Sequence, residues 1–129
     1  MTILQQALDK LQLSALHPTA ARTATGNGTG VDVQTLDGDL FVILDSAAAG
    51  AGTNPTLDIK LQSSDTSGGT YTDITGATFT QVTSTASQQA ITISKDAAQR
   101  WIRIVYTIGG TSSPSFTFSV NAVGVKKYG

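Results

Sequence analysis

With 129 residues, 40% of them apolar and 13% charged, the chain fits one domain and is long enough to bury a hydrophobic core. A net charge of −1, with no basic cluster beyond Lys126-Lys127, leaves no electrostatic footprint for a phosphate backbone, so no nucleic-acid partner is expected. The absence of Cys excludes disulfides, thiolate metal sites and thiol nucleophiles, and no apolar run approaches the length that crosses a bilayer. No membrane partner is expected. The N-terminus lacks a charged region followed by an apolar stretch, which predicts synthesis in the cytoplasm. All nine acidic residues are Asp, a poor helix former suited to turns, and β-branched residues are plentiful, so the composition favours strands.

The first stretch departs from that rule. Leu4, Leu8 and Leu11 recur at helical spacing, and Thr2-Ile3-Leu4-Gln5 matches a capping box, which predicts a short helix over about Thr2 to Gln12. So short a helix is marginal alone in water, and its leucine stripe is costly to expose. Leu4, Leu8 and Leu11 are therefore candidate partner contacts, although the same stripe would serve an arm packed on its own domain. Pro18 stops the helix near Leu16, an extended lead-in follows, and Gly26-Asn27-Gly28-Thr29-Gly30 reads as a turn or hinge. The chain divides into an N-terminal arm, residues 1–25, and a β-sandwich domain, residues 26–129.

From there the period is two. Asp37-Gly38 predicts a hairpin joining Val31–Leu36 to Leu40–Asp45, a strand with apolar residues on both faces and so buried on both. Thr56–Ser63 alternates, with Leu57, Ile59 and Leu61 inward. Candidate strands follow around Tyr71–Ile74, Thr78–Thr83 and Gln89–Ser94, adding Phe79, Val82, Ile91 and Ile93 to the core. Lys95–Gln99 suits a single helical turn before Trp101–Ile108. Gly109-Gly110 closes that strand, and Phe116, Phe118, Val120, Val123 and Val125 end the chain in a hairpin. Roughly eight strands with regular turns indicate an all-β sandwich, jelly-roll-like in first choice.

Chemistry is thinly supplied. The one histidine, His17, lies beside Pro18 in the arm, where a solvated linker is a better reading than a catalytic base. Asp37 and Asp39 could form an acid–base pair, but Asp-Gly-Asp is first a turn signature. Asp32, Asp37, Asp39 and Asp45 match no EF-hand spacing, and the glycine-rich run lacks the Lys-Ser/Thr and helix of a phosphate loop. Trp101, Tyr71, Tyr106 and Tyr128 could offer a sugar-stacking platform, though core packing suits Trp101 and Tyr106 better. No catalytic, cofactor or metal residue is assigned, and the chain reads as non-enzymatic.

Gly28-Thr29-Gly30-Val31-Asp32-Val33, Leu40-Phe41-Val42-Ile43-Leu44-Asp45 and Trp101-Ile102-Arg103-Ile104-Val105-Tyr106 resemble segments of small head-associated proteins of tailed phages. Thr56–Asp65 followed by Thr70–Ile74 is similar to a hairpin of virion β-domains. The resemblance spans most of the chain as an overall pattern and carries no catalytic or metal motif. It implies a capsid decoration, or cement, protein on the outside of a capsid shell, with the major capsid protein as partner and a homotrimer as assembly. A carbohydrate- or receptor-binding sandwich of a virion is the alternative, so a glycan ligand stays open.

Overall fold

The computed structural model describes residues 10–94 and 97–126. The elements bounded among these residues are all strands: β1 (Leu11–Arg22), β2 (Gly26–Asn27), β3 (Val31–Asp32), β4 (Leu36–Ser46), β5 (Ala51–Ser64), β6 (Thr72–Thr78), β7 (Ser87–Ser94) and β8 (Trp101–Lys126). The all-β sandwich expected from composition and period is present. Of the expected Thr2–Gln12 helix, residues 1–9 lie outside the described residues, as do Lys95 and Asp96 of the helical turn. Leu11 and Gln12 are strand, paired to Val125 and Gly124.

The architecture is organised by β8, whose 26 residues pass through both sheets. Its C-terminal half pairs antiparallel with β1 on one side and β4 on the other, and β7 extends the sheet beyond β4. This is the first sheet. The N-terminal half of β8 pairs with β5 on one side and with the short β2 and β3 on the other, and β6 lies beyond β5. This is the second sheet. The corner between them falls where β5 and β8 both slip register, around Ala51–Thr56 and Gly109–Ser115. Gly110 has φ +114°, and a Cβ there would sit 2.9 Å from the Asn54 carbonyl oxygen, so the bend requires glycine. Gly109-Gly110, expected to end a strand, instead turns one continuous strand from sheet to sheet, and the expected C-terminal hairpin does not form.

Two further turn readings are corrected. Asp37-Gly38 is not a hairpin. Gly38 has φ +70° inside β4, at a slip in pairing between Asp37 and Phe41, while the chain reverses one step earlier with Leu36 N–H bonded to the Val33 carbonyl. Nor is the glycine run a free hinge. Gly26 and Asn27 pair with Tyr106 and Val105, and a Cβ on Gly28 would meet the Leu16 carbonyl oxygen at 2.8 Å. Glycine there permits close approach of backbone to backbone.

The core lies between the two sheets. Leu40, Val42 and Leu44 of β4 face Leu57, Ile59 and Leu61 of β5 within one buried cluster, together with Ile102, Ile104, Phe116, Phe118 and Val120 of β8. Phe79, Val82 and Ile93 join it as expected, and Ile91 packs at its margin. Strict alternation is what makes this possible, because each strand sends every second side chain inward.

Candidate interaction surface

The alternation that builds the core also decides the outer face of the first sheet. Between buried Leu40, Val42 and Leu44, the side chains of Phe41 and Ile43 point outward, and Phe41 is 56% exposed. The expectation that Leu40–Asp45 is buried on both faces is therefore overturned within the single chain. Phe41 stands opposite Val123 of β8, which in turn stands opposite Leu13 of β1, itself 69% exposed. One register step away Val125 pairs with Leu11, and on the other side Ile43 meets Asn121. Val123 and Val125, read from sequence as part of a terminal hairpin, lie on this outer face. A contiguous apolar surface thus crosses three adjacent strands, where isolated exposed hydrophobics would need no explanation.

Of the candidate partner contacts, Leu11 sits at the edge of this surface and is 42% exposed. Leu4 and Leu8 lie outside the described residues. Phe41, Ile43 and Leu13 were missed as surface, although the signal was present: β4 carries apolar residues in both alternating sets, and a strand on one sheet can bury only one of them internally.

The second sheet finishes its outer face differently. Arg103 donates from Nε and Nη2 to the Gln62 side-chain oxygen at 3.1 and 2.9 Å, and Gln62 Nε2 donates to Asp73 at 2.9 Å. Lys60 Nζ completes the ladder with Asp73 at 3.0 Å. The hydrogen bond from Gln62, followed by that from Lys60, holds the Asp73 carboxyl below its usual pKa. Cross-strand pairing brings these groups together, since Gln62 is opposite both Arg103 and Asp73.

The third notable group is internal. Leu16 and His17 are both buried, which breaks the alternation of β1, and the pairing slips on either side of His17. Pro18, next in sequence, has no N–H to give the ladder. The His17 ring stacks on Phe118 at 4.2 Å and meets Tyr106 edge-on at 5.5 Å. Its Nε2 accepts from Arg22 Nε at 2.9 Å, so the ring proton lies on Nδ1, which donates to the Phe118 carbonyl at 3.2 Å. Burial, and then the Arg22 guanidinium, lower the pKa of His17. The reading of His17 as a solvated linker residue is overturned: at 1% exposure it fastens β1 to β8 where the backbone ladder is interrupted. Both ring nitrogens are committed to structure.

The remaining sequence candidates are not assembled into a site. Asp32 is held by the Arg100 guanidinium at 2.9 Å, and among the described residues no group of three or more His, Cys, Asp or Glu could hold a metal ion. Of the aromatic platform, Tyr106 is buried, Tyr71 lies 4.2 Å beneath the Arg103 guanidinium, Trp101 has Arg100 at 5.6 Å, and Tyr128 lies outside the described residues. An open cleft of about 440 Å³ beside Asp45 is lined mainly by Ser, Thr and Ala, with Gln88 and Phe118.

No family model matches the chain, and no curated protein matches it significantly. Solved structures do match in fold. A structure of infectious bursal disease virus strain Gx aligns with 93% of this chain and 32% of its own at 10% identity and a TM-score of 0.54. The T13 particle of the same virus aligns with 91% and 31% at 10% identity and a TM-score of 0.57. Its VP2 subviral particle aligns with 91% and 32% at 7% identity and a TM-score of 0.52. The chain spans about a third of the length of those chains. At such identities the likeness is one of fold, and this chain shares the β-sandwich found within chains of virus particles.

Proposed function

We propose that the chain is a structural virion protein that binds the outside of a capsid shell and decorates or stabilises it. The observation that carries this reading is the contiguous apolar face of the first sheet, centred on Leu13, Val123 and Phe41. A face of this kind on a small sandwich is a docking surface, and each large side chain removed from water there contributes on the order of 1 kcal/mol before ordering costs. The fold shared with chains of virus particles and the resemblance to head-associated phage proteins support the same role. Leu11 belongs to the contact surface. The test is co-sedimentation of the purified protein with shells assembled without it. Saturable binding that raises the shell's melting temperature is expected, and absence of binding at micromolar concentration would sink the proposal. The glycan-binding alternative has less support, because the half-buried rings of Tyr71 and Trp101 have arginines against them.

A further inference from the structure

The apolar face of the first sheet has an acidic frame. Along β4 the outward positions read Asp37, Asp39, Phe41, Ile43, Asp45, so carboxylates flank the two exposed hydrophobics at both ends. The outward positions of β1, β7 and β8 in register with them carry no charge among the described residues. Among the described residues Asp37 accepts from the N–H of Gly38 at 3.0 Å, and Asp45 from Gln88 at 3.5 Å. None of the three forms an ion pair among the described residues. The contrast with Asp73 and Asp32 is direct, since those are neutralised by Lys60 and Arg100.

We propose that this face docks a protein surface with an apolar centre flanked by Lys or Arg. The inference deepens the functional reading above and rests on it for the identity of the partner as the capsid shell. Charge complementarity selects the occupant. Around Phe41 and Ile43, a second copy of the same face would bring Asp39 and Asp45 to like carboxylates with no cation at the outward positions in register with them among the described residues, whereas a basic-flanked apolar surface matches both centre and frame. The flanking charges steer encounter and the apolar centre holds the complex.

Two probes test this with the full chain. Against shells assembled without the protein, binding should weaken as NaCl is raised. The D39N/D45N double variant should bind about tenfold more weakly at low salt and lose part of that salt dependence. Phe41→Ser should lose binding at every salt concentration. The second probe is a pair of short peptides with an aliphatic centre and either Lys or Glu at both ends, read by NMR. The Lys-flanked peptide should shift the Phe41 and Val123 resonances and the Glu-flanked one should not. Failure of the wild type to bind shells overturns the virion reading alone, because the peptides still report the chemistry of the face. Shell binding with no effect of D39N/D45N, or an equal response to both peptides, overturns the charge inference alone. Two outcomes would identify another occupant and overturn it too. One is self-association in sedimentation that Phe41→Ser abolishes, which makes the occupant a second copy. The other is tighter probe binding in a full-length L4S/L8S variant, which makes it the chain's own N-terminal segment.

Discussion

On the outer face of the second sheet, Lys60, Gln62, Asp73 and Arg103 form a hydrogen-bonded ladder across three strands. On the outer face of the first, Leu13, Val123 and Phe41 lie side by side beside aspartates that form no ion pair among the described residues. Both faces hang on the same strand, β8, and both cover the same core. Their difference teaches where the chain is finished and where it is not. A polar face whose groups partner one another gains little from contact with another surface, because docking would have to break and rebuild those bonds. An apolar face gains from it directly.

The comparison rests on β4 having a load-carrying side and a free side, so the largest expected effect is on the first. Leu44→Ala, in the buried cluster behind the face, should cost about 2–5 kcal/mol in urea unfolding. Its neighbour Ile43, half-exposed on the free side, should behave oppositely: Ile43→Ser should cost under about 1 kcal/mol yet weaken shell binding severely. If Ile43→Ser destabilised as much as Leu44→Ala, the face would be covered within the molecule and the comparison would collapse.

The next effect is on how firmly β1 carries its part of the face. His17 has a lowered pKa in the folded chain, so the unfolded chain binds its proton first as pH falls. Stability from this group is complete above pH 6.5, its ordinary value, and is lost as pH drops from there through the folded-state pKa. Unfolding by urea between about pH 7.5 and about pH 5 should therefore show falling stability in the wild type and a flatter profile in His17→Phe. Amide exchange in β1 should accelerate over the same interval. An unchanged slope in His17→Phe would remove His17 from the fastening of this strand.

The smallest effect is expected on the polar face. Asp73→Asn should shift the melting temperature by little more than experimental scatter and leave shell binding intact, since the Asp73 carboxyl is exposed and its ion pair is screened by salt. Its lowered pKa adds stability above the usual carboxylate range that disappears on acidification, opposite in cause but equal in sign to the His17 effect. Loss of shell binding in Asp73→Asn would mean that the docking surface lies on the second sheet.

Much of the fold was legible because period-two patterning is a local property. Thr56–Ser63 announced β5 and its inward residues, and Trp101–Ile108 announced the first half of β8. Turn dipeptides were less informative, because Asp-Gly and Gly-Gly signal positive φ without saying what the bend serves. At Gly38 it serves a bulge, and at Gly110 a corner between sheets. His17 was unreadable for a related reason. Its value lies in Phe118, Tyr106 and Arg22, of which two are distant in sequence, and a bulge turned it inward against the period.

What the sequence determined by itself is which residues alternate and which types occur: an all-β chain without cysteine chemistry, with apolar residues in both alternating sets of Leu40–Asp45. Alternation fixes the two faces of a strand but not what stands against either one. Only the tertiary structure decided that Leu40, Val42 and Leu44 face the core while Phe41 and Ile43 face water. The same pairing of β1, β8 and β4 gathered Leu13, Val123 and Phe41 from three distant segments into one surface, because strand neighbours are chosen by long-range hydrogen bonding and not by proximity in the chain.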